Sequence, residues 1–168
     1  SWLVMQRIMI IGPGNAGKST LAVKLGEKLN LPVYHLDRYF WLANWKEKDR
    51  NTWLNEQKIL TNKEKWIIGG DFKKSYAIRA ARADTIIYLD FPRWIIIPRS
   101  IRRVHQYKGK TRPDITEGNI ERINLPYLKW LYNYDRDTPG RLTHEYSKTK
   151  KLIVLTRPRE LKSFLDQR

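Results

Sequence analysis

Short apolar runs alternate with longer amphipathic segments along the chain. Residues 8–11 are apolar throughout, which is typical of a strand buried on both faces of a parallel sheet. Leu21, Leu25 and Leu29 recur at four-residue spacing, which predicts a helix over residues 17–29. Similar patterns predict strands at 33–36, 66–68, 85–90 and 152–155, and helices at about 49–60, 75–83, 93–106, 125–135, 141–147 and 159–167. This alternation indicates an α/β fold in which helices cover both faces of a parallel sheet.

The segment between the first strand and the first helix has the spacing of a phosphate-binding loop, Gly-x-x-x-x-Gly-Lys-Ser. Its glycines let successive N–H groups point at an anion, and the following helix adds its own unpaired N–H groups. Lys18 would reach the β- and γ-phosphates of ATP, and the Ser19 hydroxyl would bind Mg²⁺. The predicted nucleotide-binding residues here are Gly12, Pro13, Gly14, Asn15, Ala16, Gly17, Lys18, Ser19 and Thr20.

A dinucleotide-binding fingerprint is the main rival interpretation of this loop. Gly12, Gly14 and Gly17 have the required spacing, and Asp37 follows Gly17 by about 20 residues. A dinucleotide fold does not need Lys-Ser at the start of the helix, whereas a phosphate-binding loop does. A glycine-rich turn that binds nothing would not need the flanking strand and helix, so we favour the phosphate-binding loop.

Four further polar residues are predicted to face the same crevice, because ligands of open α/β sheets bind at the carboxyl ends of strands. Asp37 follows the second strand and would hold Mg²⁺ through water or orient an acceptor hydroxyl, although a helix cap or a surface salt bridge is the alternative. Asp71, after the third strand, and Arg79 are candidates for the acceptor side. Arg157, in the last loop, would flank a nucleotide base.

A basic segment follows the fourth strand. Residues 93–112 contain seven Lys and Arg side chains and no carboxylate, and three arginines share one helical face. Like charges at this spacing disfavour a helix unless an anion lies between them, and guanidinium groups match phosphate oxygens. We therefore predict that Arg99, Arg102 and Arg103 stabilise the phosphoryl group during transfer. A solvated basic face or a nucleic-acid patch is the alternative.

Composition narrows the class of protein. The 168 residues are enough for one domain, which we place at 1–168 with a lid at about 107–121. The net charge of +16 favours anionic partners, but no nucleic-acid-binding motif accompanies it. The chain has no cysteine, which suits a reducing cytoplasm. No apolar stretch approaches the ~20 residues of a membrane span, so we expect no membrane partner.

Several short motifs carry a resemblance to a known family. They are residues 12–20, 32–37, 66–68, 82–84, 89–94 and 109–114. With them the chain resembles adenylate-kinase-related P-loop proteins of the DNA topology modulation protein family. The resemblance implies a three-layer αβα P-loop kinase-like fold with strand order 2-3-1-4-5, a short lid, ATP and Mg²⁺. It also implies that Arg99 packs on the adenine and that Arg103 contacts phosphate.

One segment departs from the family pattern. The family usually has Asp-Gly-Asn after the third strand, and this chain has Gly69, Gly70 and Asp71. We expect a phosphotransferase that moves the γ-phosphate of Mg-ATP to a nucleotide or a small hydroxyl acceptor. Two alternatives stay open: a catalytically weak nucleotide-binding regulatory module, and a basic nucleic-acid-binding protein that affects DNA topology.

Overall fold

The computed structural model describes residues 5–111 and 124–167, and these form a five-stranded parallel sheet with helices on both faces. The strands are β1 (Arg7–Ile11), β2 (Val33–His35), β3 (Trp41–Leu42), β4 (Lys46–Glu47), β5 (Trp66–Gly69), β6 (Thr85–Leu89) and β7 (Lys151–Leu155). The helices are α1 (Lys18–Leu29), α2 (Leu36–Phe40), α3 (Arg50–Thr61), α4 (Tyr76–Arg82), α5 (Arg93–Tyr107), α6 (Leu125–Tyr132), α7 (Asp137–Glu145) and α8 (Pro158–Asp166).

The order of the main sheet is β2-β5-β1-β6-β7, and every neighbouring pair is parallel. The strands β3 and β4 form a separate antiparallel hairpin, so the five main strands follow the order 2-3-1-4-5 that the resemblance implies. In the centre of the sheet, Ile10 of β1 pairs with Gly69 of β5 and with Ile87 of β6. The loops that follow these three strands therefore meet at one edge of the sheet.

The two faces of the sheet explain the apolar sequence of β1. Ile8 and Ile10 contribute to a core with α1, α5, α6 and α8, whereas Met9 and Ile11 contribute to a core with α3, α4 and α7. All four side chains are completely buried. Since alternate residues of a strand point to opposite faces, a strand covered on both sides shows no polar alternation.

Some local details differ from the sequence-based expectations. The aromatic segment after α2 forms the β3–β4 hairpin, which the pattern did not predict. The helix α5 runs without interruption through Pro98, although a proline inside a helix removes a hydrogen bond. The helix predicted at 141–147 begins earlier, at Asp137, and Pro139 lies in its first turn, where no intrahelical N–H bond is needed. Most of the predicted lid at 107–121 lies outside the described residues.

No helix in the described ranges, 5–111 and 124–167, has the length and apolar character needed to cross a bilayer.

Candidate active-site cleft

A cleft of about 1940 Å³ opens at the carboxyl edge of the sheet. It brings together most of the predicted site residues, although they lie far apart in the sequence. Those that line it are Gly14, Asn15, Gly17, Lys18, Ser19, Thr20, Asp37, Asp71, Arg99, Arg102 and Arg103. Gly12, Pro13 and Ala16 are buried parts of the loop behind this surface, while Arg79 and Arg157 do not line the cleft.

The phosphate-binding loop needs an unusual backbone. Gly12, Asn15 and Gly17 have φ angles of 143°, 62° and 95°, a region that suits glycine and tolerates asparagine. At Gly14 the limit is space, because a Cβ atom would lie 2.1 Å from the Tyr127 hydroxyl oxygen. The Lys18 ammonium donates to the carbonyls of Gly12 and Pro13 at 2.8 and 2.7 Å. The Lys18 side chain thus closes the loop by binding two of its carbonyl groups.

Asp71 fastens this loop to the rest of the cleft. One carboxylate oxygen accepts a hydrogen bond from the Gly12 N–H at 3.1 Å and another from the Tyr76 hydroxyl. The other oxygen accepts a 2.7 Å bond from the hydroxyl of Tyr134, which follows α6. Asp71 therefore connects the β1 end, α4 and the segment after α6 through three donors.

The two tyrosines around Asp71 are held in their protonated form. Burial raises the pKa of Tyr76 and of Tyr134 well above the usual range, and the negative charge of Asp71 raises both pKa values further. A neutral hydroxyl can donate to a carboxylate, whereas a phenolate cannot. The network therefore stays intact across the physiological pH range.

Arg79 is completely buried beneath the loop at 70–72 rather than exposed to an acceptor. Its guanidinium donates to the carbonyl oxygens of Gly70, Asp71 and Phe72 at 2.6, 2.5 and 3.0 Å. Burial lowers the pKa of Arg79 to about 10, so the group remains charged at neutral pH. This placement is at odds with the predicted acceptor contact, because the alanine-rich helix α4 turns the side chain inward. Arg79 instead supports the loop that carries Asp71.

The predicted arginines of α5 form one wall of the cleft. Arg99 is half-buried beside the ring of Phe91, 5.5 Å from its centroid, and Arg103 lies 5.7 Å from the centroid of Tyr127. A Cβ atom on Gly17 would lie 3.8 Å from a terminal nitrogen of Arg99, which places this guanidinium at the start of α1. Burial lowers the pKa of Arg99, and the neighbouring charge of Arg102 lowers it further. This wall and the phosphate-binding loop together are called the nucleotide half below.

Arg157 occupies a different place from the one expected. It is exposed at the N-cap of α8 and lines a separate pocket of about 540 Å³ together with Asp90, Arg93 and Arg136. Leu161, one turn further along α8, is the residue that lines the main cleft. A base in the cleft would therefore meet the apolar side of α8 rather than this guanidinium.

The other end of the cleft is aromatic, and the sequence favoured core packing over base stacking for the rings of residues 39–45. We call it the acceptor half and define it by Asp37, Phe40, Trp41, Trp45, Glu47 and Phe72. Ring centroids lie 4.8 Å apart for Phe40 and Trp41, 5.5 Å apart for Trp41 and Trp45, and 4.8 Å apart for Phe40 and Phe72. The signal in the sequence was the aromatic run around residues 39–45. Its irregular spacing did not show which of these side chains lie on the same side of a helix or strand.

Gly69 lies beside the phosphate-binding helix. A Cβ atom there would meet the Ala22 Cβ at 3.7 Å and the Lys18 carbonyl oxygen at 3.9 Å, which are ordinary contacts. The Cβ atom of a larger residue at this position would therefore fit next to the first turn of α1. Asp71 does not occupy that place, because its oxygens bind Gly12 and the two tyrosines.

Ser19 and Asp37 offer oxygen ligands to the same cleft, and their chemistry suits Mg²⁺. Among the described residues, no group of three or more His, Cys, Asp or Glu side chains could hold a metal ion. Magnesium in phosphoryl-transfer sites takes one or two protein oxygens and completes its shell with substrate phosphates and water. The residues present therefore fit a magnesium ion that arrives with a nucleotide.

The chain matches no protein-family model and no curated protein. Its fold is similar to shikimate kinase from Acinetobacter baumannii in complex with shikimate, at a TM-score of 0.57 and 15% identity over 96% of this chain and 89% of that chain. It is also similar to deoxyadenosine kinase from M. mycoides, with a TM-score of 0.55 and 17% identity over 95% of this chain and 94% of that chain. Shikimate kinase from Bacteroides thetaiotaomicron gives 0.55 and 18% identity over 96% and 95%. The predicted fold class is therefore confirmed, and the fold is that of the P-loop kinases.

Proposed function

We propose that this protein is a P-loop phosphotransferase that moves the γ-phosphate of Mg-ATP to a nucleotide or a small hydroxyl-bearing acceptor. The observation that carries the proposal is that two phosphate-binding elements, the loop with Lys18 and the α5 arginines, line one cleft. They adjoin at the start of α1, where the Arg99 guanidinium lies beside Gly17. A triphosphate on the loop would therefore meet cations from both elements, which is the electrostatic arrangement that phosphoryl transfer requires.

Each residue of the nucleotide half has a role in this proposal. The loop amides and Lys18 hold the β- and γ-phosphates, and Arg99 packs against the base. Arg102 and Arg103 neutralise the charge that develops on the transferred group. Ser19, together with Asp37 through water, would hold Mg²⁺, which supplies further charge neutralisation when bound. Positioning and electrostatics then account for catalysis, as in other phosphoryl transfers.

The family resemblance refines the proposal. The motifs at 12–20, 89–94 and 109–114 support membership of the adenylate-kinase-related proteins of the DNA topology modulation family. In that setting we propose an ATP-dependent kinase that is adenylate-kinase-like in its nucleotide half, with the ATP phosphates on the loop.

A transfer screen tests the proposal. Purified protein is incubated with Mg²⁺ and γ-labelled ATP against a panel of nucleosides, nucleoside monophosphates and small alcohols, and labelled products are separated. We expect label transfer to at least one acceptor, with Lys18→Ala inactive and Lys58→Ala, an exposed lysine of α3, fully active. Unchanged transfer and unchanged ATP affinity in Lys18→Ala would refute the proposal.

A nucleotide-binding regulatory module is the second candidate, and Gly69 favours it because the family places a carboxylate there. The contacts at this position leave room for the Cβ atom of Gly69→Asp. A large gain in turnover in Gly69→Asp would identify a weakened kinase. If neither protein transfers phosphate to any acceptor while both bind ATP, the regulatory module is the better description.

A further inference from the structure

We infer that the acceptor half binds a nucleoside, that is, an uncharged planar base joined to a hydroxyl-bearing sugar. The inference rests on the proposed phosphotransfer and names its substrate class. Three independent features of the acceptor half carry it. They are the ring wall, formed by Phe40, Trp41, Trp45 and Phe72, the strained backbone at two of these rings, and the balance of charges around them.

The ring wall offers stacking surfaces. Trp41 and Trp45 lie on the β3–β4 hairpin, are half-buried, and line the cleft. Their planes meet at 78°, and Phe40 meets Trp41 at 89°, so the rings support one another edge to face. Trp53, only 5% exposed, closes the back of the wall through its 5.2 Å contact with Phe40. Aromatic walls of this kind bind planar rings by stacking.

Two of these rings stand on strained backbone. Trp45 and Phe72 have φ angles of 56° and 42°, which are genuine outliers for bulky side chains. Such strain persists only where the surrounding structure enforces it, and it concentrates at ligand-binding sites. At Phe72 the enforcing group is Arg79, whose buried guanidinium holds the carbonyls of residues 70–72. The backbone is thus held in the conformation that presents Phe72 to the wall.

The charges of the acceptor half suit hydroxyl groups better than a phosphate. Asp37 and Glu47 supply carboxylates, which accept hydrogen bonds from sugar hydroxyls and base amino groups.

The nearby cations are engaged or peripheral. Lys48 forms an ion pair with Glu56 at 2.9 Å, and Lys73 pairs with Asp135 at 3.7 Å. Arg79 faces carbonyl groups, and the remaining cations on this side of the lining, Arg50 and Lys74, are exposed. No counterpart of the three-arginine wall of α5 stands among the described residues around the rings. A monophosphate acceptor would bring about two negative charges beside two carboxylates, which is unfavourable.

The transfer step follows from this placement. A sugar hydroxyl oxygen attacks the γ-phosphorus of ATP, and the bond between that phosphorus and the β–γ bridging oxygen breaks. ADP leaves with the bonding electron pair, and the hydroxyl proton is released to solvent water. The products are a nucleoside monophosphate and ADP.

Equilibrium dialysis tests the inference separately from catalysis. Labelled adenosine, guanosine, cytidine, uridine and their deoxy forms are compared with the corresponding 5′-monophosphates and with ribose. We expect at least one nucleoside to bind ten or more times more tightly than its own monophosphate and than ribose. Tighter binding of the monophosphate, equal binding of ribose, or no nucleoside binding at millimolar concentration would overturn the inference.

Variants locate the bound nucleoside. Trp41→Leu should weaken nucleoside binding about tenfold, because it removes a stacking surface, while Trp41→Phe should retain most of it. Trp94→Leu is the matched control, since Trp94 is 69% exposed on α5 outside the cleft, and should change nothing. Unchanged binding in a folded Trp41→Leu protein would refute the assignment.

The transfer screen distinguishes a failure of the nucleoside inference from a failure of the proposed phosphotransferase. If only non-aromatic alcohols are phosphorylated, the proposed phosphotransferase stands and the nucleoside inference falls. If nucleosides bind in a Trp41-dependent manner but no acceptor is phosphorylated, the nucleoside site stands and the phosphotransferase falls.

Discussion

The nucleotide half and the acceptor half of the cleft are built in different ways. The nucleotide half consists mostly of one continuous segment, the loop and first turn of α1, together with one face of α5. The acceptor half collects residues from α2, the β3–β4 hairpin and the loop at 70–72. The first presents backbone amides and guanidinium groups, and the second presents rings and carboxylates. In our proposal, one end of the cleft therefore binds a polyphosphate and the other end binds an uncharged ring.

Because of this difference, the two halves should respond to different substitutions. The loop conformation depends on glycines and on Asp71, whereas the ring wall depends on Arg79 and on the hairpin. Substitutions should therefore separate the two halves: some should abolish phosphate chemistry and leave the fold intact, and others should weaken the fold around the acceptor.

Lys18→Ala should cause the largest loss. The variant removes the cation that meets the β- and γ-phosphates, and we expect transfer to fall about a thousandfold. Because its hydrogen bonds to the Gly12 and Pro13 carbonyls are also lost, the free energy of unfolding should fall by about 1 kcal/mol. Label-transfer rates and urea unfolding measure the two quantities. A variant that lost stability in parallel with activity would show that Lys18 mainly closes the loop.

Arg79→Met should act on the fold instead. The carbonyl groups of Gly70, Asp71 and Phe72 would lose the guanidinium that donates to them, and we expect the free energy of unfolding to fall by about 3 kcal/mol. Urea titration followed by circular dichroism measures this loss. Arg82→Met, an exposed arginine of the same helix, should cost about 1 kcal/mol or less. Equal losses of unfolding free energy in the two variants would show that Arg79 does not support the acceptor half.

Arg99→Ala should lower kcat/KM for ATP about a hundredfold, because a half-buried guanidinium beside the start of α1 is removed from the nucleotide half. The KM of the acceptor should change little. Steady-state kinetics with each substrate varied in turn separates the effects, and Arg159→Ala on α8 serves as the control. If the main effect is on the KM of the acceptor, Arg99 belongs to the acceptor half, and its assignment to the nucleotide half is wrong.

Tyr134→Phe should have the smallest effect, about 1 kcal/mol, because one hydrogen bond to Asp71 is lost. It should also flatten the alkaline stability profile. Burial raises the pKa of Tyr134 in the folded protein above the value of 10.0 in an unfolded chain, so its contribution is complete below pH 10 and is lost as the pH rises further. Urea unfolding at pH 8 and pH 11 measures this, with Tyr132→Phe as control. Identical pH dependence in the two variants would contradict the account.

The contrast between the two halves also explains which parts of the site could be predicted from the sequence. The phosphate-binding loop, Asp37 after β2 and the shared face of Arg99, Arg102 and Arg103 follow from spacing within single segments, and the structure places all of them around one cleft. The fold class follows from the alternation of apolar runs with amphipathic segments.

The acceptor half could not be predicted in this way. Its rings converge only after the hairpin turns through the left-handed conformations of Asn44 and Trp45, which no local pattern specifies. Arg79 was a candidate for the acceptor side, but its helix is short and alanine-rich, so the sequence did not show which face turns inward. Arg157 was assigned to the base from its loop alone, and the geometry of α8 directs it to another pocket.

Titration of a non-hydrolysable ATP analogue into protein saturated with a bound nucleoside tests the central claim, that one cleft holds two ligands of different chemistry, most directly. Calorimetry should show both ligands bound at once, with analogue affinity lost in Lys18→Ala and unchanged in Trp41→Leu. Displacement of the nucleoside by the analogue would contradict the claim, because it would mean that the two ligands share a single half of the cleft.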